Sequence, residues 1–282
     1  MDRRFGVSTH LFHEKRLSRD HLVEIAAHGF ETVEVFATRS HFDYRDPAAV
    51  AQLAEWLADT RLELHSVHAP IVEGLRRGEW VGALSNASGD EARRAQAVDE
   101  TRAALEIARV VPFRYLVLHL GMPATEKVPP GDNQPAAARR SVEQIVELAA
   151  AVRVRVGLEV IPNALSTPDA LCRLLEEDVD DAGAGICLDY GHANLMGDVA
   201  EAIEAVSGHL LTTHVHDNAG RRDDHLPPFA GRIDWDLAMM STQKIGYDGV
   251  LMFEVADGGN PEAVLKKMAA ARERLEKLFV TF

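Results

Sequence analysis

Residues 154–191 read VRVGLEVIPNALSTPDALCRLLEEDVDDAGAGICLDYG. Two short apolar, partly β-branched runs, VRVGLEVI (154–161) and GICLDYG (185–191), bracket a stretch of helical period. That stretch is headed by Thr167-Pro168-Asp169, a capping residue followed by a first-turn proline. Parallel neighbours in a sheet need such a helical crossover, because a tight turn joins only antiparallel strands. The same unit repeats in both directions from here. The strand-like runs are FGVST (5–9), TVEVFA (32–37), LELHSVHA (62–69), YLVLHLG (115–121), the two just quoted, LLTTHVHD (210–217) and GVLMFEV (249–255). Between them lie SRDHLVEIAAHG (18–29), DPAAVAQLAEWLADT (46–60), GDEARRAQAVDETRAALEIARVV (89–111) and NPEAVLKKMAAARERLEKLF (260–279). Ser18, Asp46-Pro47 and Asn260-Pro261 supply their start signals.

Uninterrupted alternation predicts an α/β fold with a parallel sheet, and eight units in 282 residues fit a closed (β/α)8 TIM barrel. No linker or shift of composition divides the chain, so residues 1–282 are expected to form one domain. The alternative, a doubly wound dinucleotide-binding sheet, finds only GAG at 183–185. That triplet precedes a strand and lacks the third glycine and the following helix, so the reading fails.

The composition, 46% hydrophobic and 26% charged, is that of a globular protein with a sizeable core. No apolar run approaches the 18 residues of a membrane span, and MDRRFGVSTH lacks the apolar segment of a secretion signal. Cys172 and Cys187 form no spacing motif and are expected to be reduced thiols in a cytoplasmic protein. Lys and Arg total 30 against 44 Asp and Glu, a formal charge of -14 that repels polyanions and weighs against nucleic acid as the partner. A local pair, Arg221-Arg222, can still grip an anionic or hydroxylated small molecule.

In such barrels the chemistry sits at the C-terminal ends of the strands. Those ends carry His68, His119, Glu159, Asp189 with His192, His214 and His216 followed by Asp217, Asp223 and His225, and Glu254. A single strand histidine is ordinarily a satisfied core or surface residue. An acid between apolar neighbours is different, because a buried unpaired carboxylate costs several kcal/mol or loses its charge. Glu159, Asp189 and Glu254 all stand in that position, so they are expected to share a divalent cation with nearby histidines. Oxygen and imidazole donors without thiolate suit Mn, Zn, Co or Mg alike. His214 and His216, two apart, point to the same side of their strand, which leaves either as the ligand. The long segment 71–89 is expected to act as a lid over the substrate, with Trp80 lining the pocket.

These residues resemble the xylose-isomerase-like barrel superfamily, which holds sugar isomerases and ketose 3-epimerases, dehydratases and three-zinc apurinic-site endonucleases. The resemblance rests on HAP (68–70), LHLG (118–121), LEV (158–160), LDYGHAN (188–194), HVHDN (214–218), D-x-H (223–225), GRIDW (231–235) and the terminal FEV (253–255). It implies one divalent metal held by Glu159, Asp189, His214 and Glu254, with His214 preferred because the family's ligand stands three residues before an acid, here Asp217. It further implies that Glu159 and Glu254 act as the catalytic bases of a sugar, cyclitol or keto-sugar isomerase or epimerase, working through a metal-stabilised enediolate. His192 would contact a substrate hydroxyl. The endonuclease branch implies instead up to three zinc ions on His68, His119, Glu159, Asp189, His192, His214, Asp223, His225 and Glu254, with His216 as a further ligand or support. A dehydratase of the same superfamily is the other alternative, and pairing into a homo-oligomer is common to such barrels. Leu165 and Gly220 replace a glutamate and an arginine of the hexulose 3-epimerases, which points to a different polyol, cyclitol or keto-acid.

Overall fold

The computed structural model describes residues 4–124, 127–178 and 183–279; the first three residues of the N-terminal stretch lie outside the described residues. Each of the eight expected strands is present. They are β1 (Phe5–Ser8), β2 (Thr32–Phe36), β3 (Glu63–His68), β6 (Tyr115–Leu118), β7 (Arg155–Glu159), β8 (Ala184–Asp189), β9 (Leu210–Val215) and β10 (Leu251–Phe253). They close in the order β1-β10-β9-β8-β7-β6-β3-β2, every pairing parallel. The fold is the (β/α)8 barrel that the alternation predicts. Burial on both faces, complete in β2 and β8, is why these strands read as nearly continuous apolar runs.

The surrounding helices are α1 (Arg19–Ala27), α2 (Pro47–Thr60), α3 (Glu91–Leu105), α4 (Pro135–Ala150), α5 (Pro168–Asp178), α6 (Tyr190–Met196), α7 (Val199–Ala205), α8 (Trp235–Lys244) and α9 (Pro261–Leu278). The expected start signals operate. Asp46 accepts from the Ala48 amide at 2.9 Å, Thr167 from Ala170 at 3.2 Å and Asn260 from Ala263 at 3.1 Å, while the Ser18 amide donates to His21 Nδ1 at 3.2 Å. α3 ends short of Val111: its last turn tightens into a 3-10 segment, Glu106–Arg109, just before Pro112.

One segment departs from the sequence reading. The segment 71–89 is no open loop but an antiparallel hairpin, β4 (Val72–Arg76) with β5 (Glu79–Ala83). Its two-residue turn, Arg77-Gly78, has positive φ at both positions (55° and 81°), the geometry that matches the twist of paired strands. The barrel floor is also tighter than side-chain identity suggests. A Cβ on Gly6 would stand 2.7 Å from Met252 Cε, so glycine on β1 is what lets Met252 fill the axis. No helix among the described residues is long and apolar enough to cross a membrane.

Candidate metal centre

The strand ends converge. Glu159 ends β7, Asp189 ends β8, His214 lies on β9 and Glu254 follows β10, all buried. One donor atom from each lies within 4.8 Å of the others. His214 Nδ1 is 3.2 Å from Glu159 Oε1, 3.3 Å from Glu254 Oε2 and 3.9 Å from Asp189 Oδ2. Two further groups adjoin this one. His68 Nε2 and His119 Nε2 meet Glu159 Oε2 at 3.2 and 3.1 Å. His192 Nε2 and His225 Nε2 meet Asp223 Oδ2 at 2.9 and 3.0 Å, and His216 Nε2 reaches Asp189 Oδ1 at 3.0 Å. Glu159 thus serves two groups, and Asp189 joins the first to the third.

Register decides this convergence. Along β8 and β9, Ile186 pairs with Leu210 but Cys187 with Thr212, a one-residue shift that brings Asp189 level with His214. Without it Asp189 would face Thr213, whose side chain belongs to the other surface of the strand. The loop after β9 is pinned by Asp217. Its Oδ1 accepts from the amides of Asn218, Arg232 and Ile233 at 2.8, 3.0 and 3.2 Å, and its Oδ2 from Trp235 Nε1 at 2.9 Å. This acid holds backbone, and the loop it closes presents Asp223 and His225. His225 takes a positive φ of 44°, a conformation costly for a non-glycine residue and typical of sites where function constrains the backbone.

The electrostatics fit a cation. Burial disfavours charge on every group here, yet His119 and His214 hold Glu159 well below the usual carboxylate range, and His214, with His225, does the same for Glu254. Burial likewise opposes charge on the imidazoles, but the facing acids push His192 and His214 well up and His225 up to about 9. Two buried atoms, His216 Nδ1 and Asp223 Oδ1, have no hydrogen-bond partner among the described residues, although buried polar atoms rarely go unpaired. Neutral imidazole and carboxylate oxygen are what a Zn, Mn, Co or Mg ion takes from such a cluster, so the donor set fits a divalent metal.

Sequence reasoning overlooked Glu34. It stands between Val33 and Val35 on β2 and is fully buried, the same signal that marks Glu159. It lies in mid-strand, away from the strand ends where the chemistry of such barrels sits. Its Oε2 is 3.1 Å from His214 Nε2, and Ser8 Oγ and Ser66 Oγ donate to its two oxygens at 2.9 and 2.7 Å. His10 was also missed. It lies in the 3-10 turn Thr9–Phe12 that follows β1 and lines the cavity above the centre, stacked on His13 and His225 at 4.2 and 4.7 Å. Burial and the neighbouring His225 keep it neutral, well below the ordinary histidine range.

That cavity is about 190 Å³. One set of lining residues is polar, histidines with Asp223 and Glu254, and the other is apolar, among them Phe36, Ile71, Val72, Leu84, Met122 and Ile161. Among the described residues no lysine or arginine lines it. Arg221 and Arg222 are exposed on the loop after β9, outside the lining, with Arg222 paired to Asp224 at 2.9 Å. The hairpin contributes Val72 and Ala83, at its base. Trp80, toward its tip, is 39% exposed and stacks on His13 at 5.0 Å, away from the lining.

A closed parallel barrel of this kind has known counterparts. Residues 22–277 match the model of the family described as xylose isomerase-like TIM barrel. The chain belongs to the xylose isomerase-like TIM-barrel family. Within it, the chain is 29% identical to the uncharacterized protein MJ1311 of Methanocaldococcus jannaschii, covering 98% of this chain and 95% of that one. A crystal structure of a D-tagatose 3-epimerase-like protein is 26% identical, covers 97% of this chain and 98% of its own, and superposes with a TM-score of 0.78. The IolI protein, crystallised with a zinc atom, reaches the same TM-score at 16% identity over 99% of this chain and 100% of its own, a likeness of fold.

Proposed function

We propose that this xylose isomerase-like barrel is a divalent-metal-dependent isomerase or epimerase of an uncharged sugar, cyclitol or keto-sugar. The observation that carries the reading is the buried Glu159–Asp189–His214–Glu254 group beneath a small cavity that Glu254 lines and whose described lining holds no lysine or arginine. Similarity to a D-tagatose 3-epimerase-like protein at 26% identity over nearly the whole chain supports it.

Glu159, Asp189, His214 and Glu254 would hold the metal, which when bound supplies Lewis acidity toward a carbonyl and its neighbouring hydroxyl. Glu159 and Glu254 arrive from β7 and β10, with β8 and β9 between them around the barrel, so they flank whatever lies over the centre. In this reading one carboxylate takes the proton from the carbon beside the carbonyl, and the C–H electron pair delocalises into the carbonyl. The other carboxylic acid then returns a proton to the opposite face, inverting that carbon without net proton consumption. His192, on the cavity wall with its Nδ1 3.1 Å from the Val160 carbonyl, would bond a substrate hydroxyl through Nε2 in exchange for Asp223. The apolar part of the lining excludes water, which strengthens each of these polar contacts.

A second reading has its own support. Among the described residues the donor groups number three and together comprise the nine residues of a three-zinc phosphodiesterase site plus His216. Against it stand the net charge of -14 and the absence of arginine and lysine from the described lining, since a phosphodiester enzyme needs cationic contacts to phosphate. Elemental analysis of protein purified without added metal, followed by a solvent-deuterium exchange screen of ketoses and cyclitols, tests the pair. About one metal per chain with deuterium entering beside the carbonyl is the expected result. Close to three zincs, cleavage of an abasic-site duplex and no exchange would replace the isomerase reading with the phosphodiesterase one.

A further inference from the structure

We propose that Glu34 is a positioning residue that fixes which nitrogen of His214 faces the metal; the inference rests on the metal reading above. His214 offers Nδ1 to the three carboxylates and Nε2 to Glu34. Glu34 cannot belong to the donor group itself, because the imidazole ring stands between them. It therefore acts through the ring, accepting Nε2–H and leaving the Nδ1 lone pair for the cation. A carboxylate behind a ligating imidazole raises the basicity of the ligand and locks its tautomer.

The fold supplies this carboxylate deliberately. Ser8, Glu34 and Ser66 are cross-strand neighbours on β1, β2 and β3. The pairing of β2 with β3 slips by one residue between Val33 and Glu34: Val33 pairs with Leu64, but Glu34 pairs with Ser66 instead of His65. That slip sets a hydroxyl beside Glu34 on either hand, and the two hydroxyls donate to different carboxylate oxygens. The carboxylate spans the barrel axis, since β2 and β9 are separated by β1 and β10. A serine–carboxylate–serine ladder at this depth orients one ring, and it contributes no atom to the cavity lining.

The test follows the ring nitrogens of His214 by 15N NMR while the metal-free protein is titrated with Zn²⁺, alongside melting temperatures with and without zinc. In the unaltered protein the Nδ1 resonance shifts with zinc while Nε2 keeps its proton. In Glu34→Gln the zinc concentration at half-shift rises about 10- to 100-fold, the range for loss of a ligand's supporting partner, and the zinc-induced rise in melting temperature shrinks. A merely structural Glu34 would lower both melting temperatures together and leave the half-shift unmoved, which overturns the proposal. Should Glu34→Gln fail to fold, Ser66→Ala decides: a rise in the half-shift supports the proposal, and no rise defeats it. If zinc never shifts either His214 nitrogen in the unaltered protein, the metal reading falls and this inference with it.

Discussion

The replacement Asp217→Asn probes the loop that carries Asp223 and His225. Asp217 is fully buried and accepts four hydrogen bonds, three on Oδ1 from backbone amides and one on Oδ2 from the Trp235 indole. It also pairs with Leu226 through two backbone hydrogen bonds of 2.7 and 2.8 Å, closing the loop at its neck. An asparagine amide has one oxygen, so its NH2 must face either the three amides or the indole N–H. The minimum loss is one charge-assisted hydrogen bond, about 1.5–3 kcal/mol, plus a buried donor left against a donor, about 1–3 kcal/mol. The expected loss of stability is about 3–5 kcal/mol, or roughly 6–20 °C in melting temperature for a chain of this size. Urea denaturation of chelator-treated protein measures it free of any metal contribution. Trp235→Phe removes only the indole donor and should cost about 1–3 kcal/mol. Because the two residues share a bond, the double variant should lose at least about 0.5 kcal/mol less than the sum. A loss below about 1 kcal/mol for Asp217→Asn, with additive behaviour, would refute the reasoning that this acid staples the loop.

Other consequences are equally open to measurement. A Cβ on residue 191 would stand 2.0 Å from His216 Cε1, so Gly191→Ala should displace the ring, cost about 1–3 kcal/mol and weaken zinc binding. Unchanged urea midpoint and zinc affinity would show that His216 is not held where it lies. Burial pushes His41 down to about 4 although it accepts no acid partner, so the folded protein keeps it neutral where the unfolded chain binds a proton. Stability is therefore full above pH 6.5 and falls as pH drops from there toward 4, by about 1.4 kcal/mol per pH unit for this residue. Urea midpoints at pH 7, 6 and 5 should show a shallower decline in His41→Gln than in the unaltered protein; parallel declines would contradict the assignment. Trp80 packs on His13 outside the cavity lining, so Trp80→Ala should change the KM of whatever substrate the deuterium screen finds by less than about threefold, under 1 kcal/mol. A tenfold change would place the hairpin tip over the substrate after all.

The sequence by itself determined the barrel and the raw material of its centre. Strand periods, helical periods and capping residues are local properties, and a parallel strand buried on both faces has no choice but to be apolar, so an acid within it stands out. Glu159, Asp189 and Glu254 were visible for that reason, and the histidines at the strand ends followed from the polarity of the fold. Tertiary structure decided the rest. Two one-residue slips, at Ile186/Cys187 and at Val33/Glu34, set Asp189 level with His214 and Ser66 level with Glu34. Nothing local encodes a slip, because each depends on how two strands distant in sequence pack. The division of Arg221, Arg222 and Trp80 from the cavity has the same origin, since loop residues are placed by what they pack against. Glu34 shows both halves at once. Its burial was legible in TVEVF, but its partner lies 180 residues away across the barrel axis, where only closure of the sheet could bring it.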